Sequence, residues 1–320
     1  GRSIHRFEMQ RAGETGRAAD AAALGRGVSA FAELLPRLAP DFVLVLGDRI
    51  EAFAAACAAS VGGVRVAHVH GGDRAEGVAD EAMRHAISKL AHVHFPASAE
   101  SAARLSRLGE EDARIHLVGS PAVDGLDAVA SASDAAHAAL GAPDFVFLMH
   151  PVGRSGGDEA LESRAVLEAL VARGRVLALL PNTDPGREGI AAAIAAVAVA
   201  HGDRVRVEAN LPRPAFVSLL RHRAVRAIVG NSSAGLLECA ALGVRAVNIG
   251  SRQGGRERAD NVRDVATGDA AGLARELDAL GSWSPSGRHP YLSGGASGRI
   301  ADVLATLDLD AHGLRKRNAH

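Results

Sequence analysis

The stretch FVLVLGDRIEAFAAACAASVGGVRVAHVHGGD, residues 42–73, decides the fold of this chain. It opens on an unbroken apolar run, passes through a helical pattern over 50–61 and closes on a second apolar run, VRVAHV (64–69). Strands that are apolar without alternation are covered on both faces, and a helix joining two of them is the crossover of a parallel sheet. HVHF (92–95) and IHLVG (115–119) continue the series, with helices over 79–90 and 98–107. A second series follows: FVFLMH (145–150), VLALLPN (176–182), VRVE (205–208), RAIVGN (226–231) and RAVNIG (245–250). The pattern predicts an α/β protein of two Rossmann-like, doubly wound domains with a ligand cleft between them. The small, polar-flecked segment 127–144 supplies the linker. This gives an N-terminal domain over 1–135 and a C-terminal domain over 136–320, the latter ending in an amphipathic helix at 296–307. The helical stretch 17–38 runs straight into the 42–48 strand with no buried strand before it. The N-terminal domain is therefore expected to be incomplete at its start.

A length of 320 residues with 48% hydrophobic content is enough for two cores. A formal charge of −1 and a pI near 7.0 exclude a nucleic-acid binder that works by charge alone. Cys57 and Cys239 both fall inside apolar helical patterns and read as reduced core residues. No apolar run reaches membrane-spanning length, and the N-terminal GRSIHRFEMQRAGETGR has no signal-peptide core. The expectation is a cytoplasmic protein that engages neither membrane nor nucleic acid.

Ligands of doubly wound sheets bind at the carboxyl ends of the strands, so those ends are where chemistry is sought. The 42–48 strand ends in Asp48-Arg49. A helix N-cap accounts for Asp48 but leaves Arg49 unexplained. The 64–69 strand ends in His70, two glycines and Asp73; the glycines permit a sharp turn beside a ligand. In ADEAMRHAISK, Asp80 and Arg84 share one helix face and Glu81 and His85 the adjacent strip, a spacing that surface ion pairs also produce. His150, Asn182 and Asp184 stand at later strand ends. The sharpest element is IVGNSSAGLLECAALG (228–243), a strand followed by Ser232 and Ser233 at a helix N-terminus. Free N–H groups and hydroxyls there suit a diphosphate, although an ordinary serine cap reads the same way. Glu238, about one turn into that helix, could meet a ribose diol. Arg252, Arg256 and Arg258 then form a cationic loop.

Five of the fourteen histidines lie between Val66 and Phe95. His68 and His70 point to one face of their strand, as do His92 and His94 of theirs. With no H-x-x-x-H helix pair, no cysteine partner and no repeated carboxylate spacing, no metal is expected.

The ordered motifs LGDRIEA, HVHGGDRAEG, DEAMRHAISKLAHVHF, VGSPAVDGL, HPV, PNTDPG, GNSSAGLLE, NIGSRQGGRERADNV and HPYLSGGAS, running from about Phe42 to Leu307, resemble those of the UDP-N-acetylglucosamine 2-epimerases. RHAISKLAH and NIGSRQGGRERADNV favour the hydrolysing branch of sialic-acid and related pathways. The resemblance implies a GT-B-like fold and a reaction without nicotinamide. That reaction is C2 deprotonation, anti elimination of UDP to a 2-acetamidoglucal, and water addition with inversion at C2. It also implies a dimer or tetramer acting on UDP-GlcNAc, on a UDP-diacetamido sugar or on a GDP-linked one. Residue by residue, it makes Asp48 and Asp80 catalytic carboxylates, followed by Arg49, and His150 the active-site histidine of the C-terminal domain. Ser232 and Ser233 become diphosphate ligands, Glu238 the ribose ligand and Arg252 an active-site arginine. Asp73 stands where many members have glutamate. His70 stands where some relatives have the acid of H-x-E, so either His70 or Asp73 takes that role. Asn182 and Arg84 join the substrate-binding set. The family's opening strand and T-G-[TS]-R-[AS]-[ED] loop have no counterpart before Phe42, which puts full activity in question. The other readings are a GT-B glycosyltransferase and an inactive nucleotide-sugar-binding remnant.

Overall fold

The computed structural model describes residues 3–14, 16–74, 80–184, 186–310, 313–317 and 319, with Asp80 described by its backbone alone. The described residues form two compact units, one within 3–74, 80–121 and 295–319, the other within 122–294.

The first unit runs α1 (Arg17–Leu38), β1 (Phe42–Leu46), α2 (Ile50–Val61), β2 (Arg65–Val69), α3 (Asp80–Leu90), β3 (Val93–Phe95) and α4 (Ala99–Arg107). Its described strands are parallel in the order β1-β2-β3, with Val45 opposite His68 and His68 opposite His94. Alternate residues of β2 feed two cores. Val66 packs with Leu35, Ala56, Ala59 and Ile87 of the helices, whereas Ala67 and Val69 pack with Val93, Phe95 and Val118. Among the described residues β1 is an edge strand, and Leu44 and Leu46 on it are exposed.

The strand expected at 115–119 does not form. His116 donates to the His94 carbonyl at 2.9 Å and Val118 to that of Pro96 at 3.3 Å. A parallel ladder would next need the Pro96 N–H, which proline lacks, so only one bridge survives.

The second unit comprises α5 (Asp134–Ala139), β4 (Phe145–Leu148), α6 (Gly156–Val171), β5 (Val176–Leu179), α7 (Arg187–His201), β6 (Val205–Glu208), α8 (Arg213–Leu220), β7 (Ala227–Gly230), α9 (Glu238–Leu242), β8 (Ala246–Ile249), β9 (Val262–Val265) and α10 (Ala270–Asp278). Its six strands are parallel in the order β6-β5-β4-β7-β8-β9. The chain therefore reverses direction across the sheet between β4 and β7, the topological switch point where such sheets bind ligands. One core cluster holds Phe145, Phe147, Val176 and Val229, the other Val146, Leu177 and Ile228, so neighbouring residues of β4 face opposite layers. The expected series of strands ended at 245–250 and did not include β9, whose VRDV carries charges in the middle. It is an edge strand whose Arg263 and Asp264 face solvent.

Two expected boundaries move. The Ser133 hydroxyl caps α5, and His137 of that helix is buried with its ring stacked on His222 at 3.9 Å. The segment 127–144 is thus part of the second unit's body, and the division falls after Pro121 rather than at 135. The last helix, α11 (Ala296–Thr306), returns to the first unit. Its Ile300 joins the Ala67, Val69 and Phe95 cluster, and Arg299 donates to the Val118 carbonyl at 2.6 and 2.8 Å. Among the described residues, no helix is long and apolar enough to cross a membrane.

Candidate active site

At the strand ends of the first unit, one buried arginine gathers two carboxylates. Arg84 lies on α3 with 2% of its side chain exposed. Its Nη2 is ion-paired with Asp48 Oδ2, and its Nη1 lies 3.7 Å from Asp73 Oδ2 while donating to the His70 carbonyl at 3.3 Å. The i, i+4 spacing with Asp80 suggested a surface pair; instead Arg84 turns inward. Asp48 does not cap α2. The N-cap position is Arg49, with extended backbone and no side-chain cap, and its half-exposed Nε meets Glu51 at 3.3 Å.

Asp73 is held on all sides. Oδ1 accepts from the Ser101 hydroxyl at 2.8 Å and Oδ2 from His70 Nδ1 at 2.8 Å. Its place depends on Gly72, whose φ is +78° and where an added Cβ would lie 2.1 Å from the Ser101 carbonyl oxygen. Only glycine fits that turn. His70 takes φ +64°, a left-handed conformation that costs a residue with a side chain about 1–3 kcal/mol. Such strain is held in place by surrounding bonds, here those of both ring nitrogens: Nδ1 to Asp73, and Nε2 to the Ser120 hydroxyl at 3.0 Å. His68 anchors the other side. Its Nε2 meets the Gly47 carbonyl at 2.8 Å and its Nδ1 the Ser88 hydroxyl at 3.1 Å, tying the loop before Asp48 to α3. Burial lowers the His68 imidazole to about 3, so it is neutral.

His92 and His94 serve the frame. His92 Nδ1 accepts from the Val66 N–H at 3.1 Å, and His94 Nε2 meets the buried Glu110 at 2.9 Å. Among the described residues no group of three or more His, Cys, Asp or Glu is placed to hold a metal ion.

In the second unit the switch point is closed by Asn231. Its Oδ1 accepts from the His150 N–H at 2.7 Å and its Nδ2 donates to the His150 carbonyl at 2.8 Å. The two strand ends can meet because Gly230 leaves room: a Cβ there would stand 2.0 Å from the Leu148 carbonyl oxygen. The His150 Nδ1 accepts from the Asn182 N–H at 3.1 Å, which leaves its proton on Nε2. Burial first, and Arg252 second, lower this imidazole to about 4, while Asp184 opposes the shift. Arg252 and Gln253 both donate to the Asn231 carbonyl, at 3.1 and 2.9 Å. Asn182 is itself held by Asp184 at 2.5 Å.

Ser232 caps a short turn, its hydroxyl accepting from the Ala234 N–H at 3.4 Å. The single helix expected after Ser233 is divided. Ser233–Gly235 form one 3₁₀ turn, and α9 begins only at Glu238, which stands at the helix start rather than one turn within it. Of the expected cationic loop, Arg252 sits beside His150, whereas Arg258 is bound to Asp264 at 2.8 Å and to the carbonyls of Gln253 and Arg256.

The structure thus brings Asp48, His70, Asp73 and Arg84 into one network, and His150, Asn182 and Arg252 into another. The Asp80 side chain lies outside the described residues. Sequence reading missed Ser101, Ser120 and the clamping role of Asn231. Ser120 and Asn231 lie inside the motifs VGSPAVDGL and GNSSAGLLE, which marked the segments but not the bonds.

The model for the family described as UDP-N-acetylglucosamine 2-epimerase matches residues 3–305. A UDP-N,N'-diacetylbacillosamine 2-epimerase (hydrolyzing) of Legionella pneumophila is 37% identical over 306 residues, covering 94% of this chain and 80% of that protein. A UDP-N-acetylglucosamine 2-epimerase of Neisseria meningitidis is 30% identical over 75% of this chain and 64% of its own length. The crystal structure of the Methanocaldococcus jannaschii UDP-GlcNAc 2-epimerase in complex with UDP-GlcNAc and UDP matches the fold with a TM-score of 0.76. It is 17% identical and covers 91% of this chain and 82% of that one. With nearly every residue inside the family match, this chain belongs to the UDP-N-acetylglucosamine 2-epimerase family.

Proposed function

We propose that the protein is a hydrolysing 2-epimerase of UDP-linked 2-acetamido sugars, releasing UDP and the free 2-epimer. The observation that carries this reading is the buried Arg84 bracketed by Asp48 and Asp73 at the ends of β1 and β2. Abstraction of a C2 proton and its return from the other face need oriented acid–base groups, and a fixed guanidinium orients the carboxylates beside it. In this reading Asp48 and Asp80 act on the sugar, and Arg84 orders the carboxylates. His70 and Asp73, hydrogen-bonded to each other at 2.8 Å, share the remaining acid–base role at that strand end. Arg49 pairs with Glu51 on its own helix and has a lesser part.

The second unit receives the nucleotide. Ser232, Ser233 and Arg252 meet the diphosphate, Glu238 meets the ribose, and Asn182 holds His150. A neutral His150 is able to donate its Nε2–H to a phosphate or leaving oxygen. The elimination and the rehydration are redox-neutral, so no nicotinamide takes part. The greater identity to the diacetylbacillosamine enzyme than to the N-acetylglucosamine enzyme favours a diacetamido sugar as substrate. The working form is a homo-oligomer in the cytoplasm.

Turnover in D2O tests the reaction. UDP release with deuterium at C2 of the free sugar is the expected result for UDP-N,N'-diacetylbacillosamine or UDP-GlcNAc. UDP release with a C2 proton retained points instead to a glycosyltransferase-type displacement, and UDP binding without turnover to an inactive binding protein.

A further inference from the structure

We propose that Lys316 is a positioning residue for the reaction, capping the far end of the helix that carries acid–base groups of the first unit. The inference rests on the reading above, in which α3 bears Asp80 and Arg84. An α-helix leaves its last carbonyls without partners inside the helix, and a cation there also meets the negative end of the helix dipole. The Lys316 ammonium stands at that point of α3. It donates to the Lys89 carbonyl at 2.8 Å and to the Ser88 carbonyl at 3.2 Å, and pairs with the buried Glu110 at 2.6 Å. The segment around it is tied to the residues that open β2 and β3 and to the turn after α4. Arg65 donates to the Leu309 carbonyl at 2.7 Å, His92 Nε2 to the Leu314 carbonyl at 3.1 Å, and the Ala319 N–H to the Gly109 carbonyl at 2.9 Å. The His92 proton is fixed on Nε2, because Nδ1 accepts from the Val66 N–H. These three ties use the backbone of the segment, whereas Lys316 contributes its side chain.

Apolar packing alone does not set how far α3 lies along its own axis. Ile87 is buried among Leu35, Ala56, Ala59 and Val66, a contact that resists lifting the helix but is not directional. Directional bonds supply the rest, and they form one path through the first unit. Lys316 holds the Ser88 carbonyl, and the Ser88 hydroxyl meets His68 Nδ1 at 3.1 Å. His68 Nε2 meets the Gly47 carbonyl at 2.8 Å, next to Asp48. Arg84, one turn before Ser88, pairs with that same Asp48. Ser88 and Glu110 are buried, so bulk water does not replace a bond lost here. A helix of 11 residues is only marginally stable on its own hydrogen bonds, so ties from outside decide its place. Misplacing catalytic groups by about 1 Å costs on the order of 100-fold in rate. Lys316 thus acts on turnover from the end of the sheet opposite Asp48 and Asp73.

Hydrogen–deuterium exchange of the whole protein, read on α3, together with UDP titration and kinetics of UDP release, tests this. Lys316→Met keeps the apolar stem and removes the ammonium. The amides of 87–90 are expected to exchange roughly 10-fold faster. In the same variant kcat should fall by about 10-fold while the Kd for UDP stays within about twofold. Lys316→Arg, which keeps a cation within reach of the carbonyls, is expected to restore most of both. Lys89→Met is the control. It takes one ammonium from the same Glu110 but leaves the cap, so it should lower stability in urea with kcat within about threefold. Where Lys316→Met does not fold, Lys316→Gln, which keeps an amide donor without the charge, is held to the same expectations. Unchanged α3 exchange in Lys316→Met overturns the proposal, as does unchanged kcat in an active enzyme or an equal loss of kcat in Lys89→Met. A wild type that turns over neither UDP-GlcNAc nor UDP-N,N'-diacetylbacillosamine, yet shows faster α3 exchange in Lys316→Met, refutes the proposed reaction and leaves the cap standing.

Discussion

Asn231 grips the backbone of His150 by both of that residue's main-chain polar groups, accepting at 2.7 Å and donating at 2.8 Å across the β4–β7 switch point. Asn231 is 2% exposed, so water does not replace what it supplies. Asn231→Ala is expected to lower unfolding free energy by roughly 1–3 kcal/mol, the cost of stranding buried backbone groups. UDP affinity should fall with it, since His150 and the Arg252 loop both hang on this residue. Urea denaturation and calorimetric UDP titration read the two effects. A stable variant with wild-type UDP affinity would show that the clamp does not set the site.

Arg84 faces two carboxylates with one planar fork, Nη2 toward Asp48 and Nη1 toward Asp73. Arg84→Ala leaves Asp48 and Asp73 without their common cation and should destabilise the first unit by about 3–5 kcal/mol. Arg84→Lys is the sharper test. A single ammonium cannot span both carboxylates and the His70 carbonyl, so turnover should be lost even where much of the stability returns. Wild-type kcat in Arg84→Lys would remove the bidentate arrangement from the reaction.

The sequence made the sheet order's consequences readable but not its bonds. Unbroken apolar strands with helices between them announced two parallel sheets, and strand-end reading placed Asp48, Asp73, His150 and Ser232 at the right ends of the right strands. What escaped it depends on groups distant in sequence. The stop at Pro96 comes from a missing N–H in a partner segment, and Asn231 reaches a strand 81 residues earlier. Ser120 meets His70 from 50 residues away. The spacing of Arg84 from Asp80 fitted a surface ion pair as well as a site residue, because helix spacing shows which residues share a face but not which face is buried. The C-terminal helix was placed with the unit it follows in the chain, yet Ile300 packs with Val69 and Phe95.

Glu110 offers a pH-dependent measure of how the C-terminal segment is held. It is 1% exposed and meets His94 at 2.9 Å, Lys89 at 2.7 Å and Lys316 at 2.6 Å. Burial alone would raise its pKa, but the bonds from His94, Lys316 and Lys89 outweigh it and bring the carboxyl from 4.5 down to about 2. The folded value lies below the unfolded one, so the stabilisation is full above about pH 4.5 and fades as pH falls toward about 2. At neutral pH it is worth up to roughly 3 kcal/mol. Urea unfolding should show Glu110→Gln less stable than wild type at pH 7, with the gap narrowing below about pH 4.5. A gap that stays constant between pH 7 and pH 3 would mean that ionised Glu110 contributes nothing.

The last prediction separates chemistry from nucleotide binding. Asp80 begins α3, one turn before Arg84, whereas Ser233 and Glu238 follow β7 in the second unit. If the carboxylates act on the sugar and the serine turn on the nucleotide, the two groups of variants should fail differently. Asp80→Asn keeps size and polarity while removing the charge, so UDP release and deuterium incorporation should vanish while the Kd for UDP stays within about twofold. Ser233→Ala combined with Glu238→Ala should weaken UDP binding by roughly 10–100-fold, about the loss of one or two hydrogen bonds to charged groups. Calorimetry with UDP and a coupled assay of UDP release give both readouts on the same preparations. Equal loss of UDP affinity in Asp80→Asn would place that carboxylate on the nucleotide, and the division of labour between the two units would have to be redrawn.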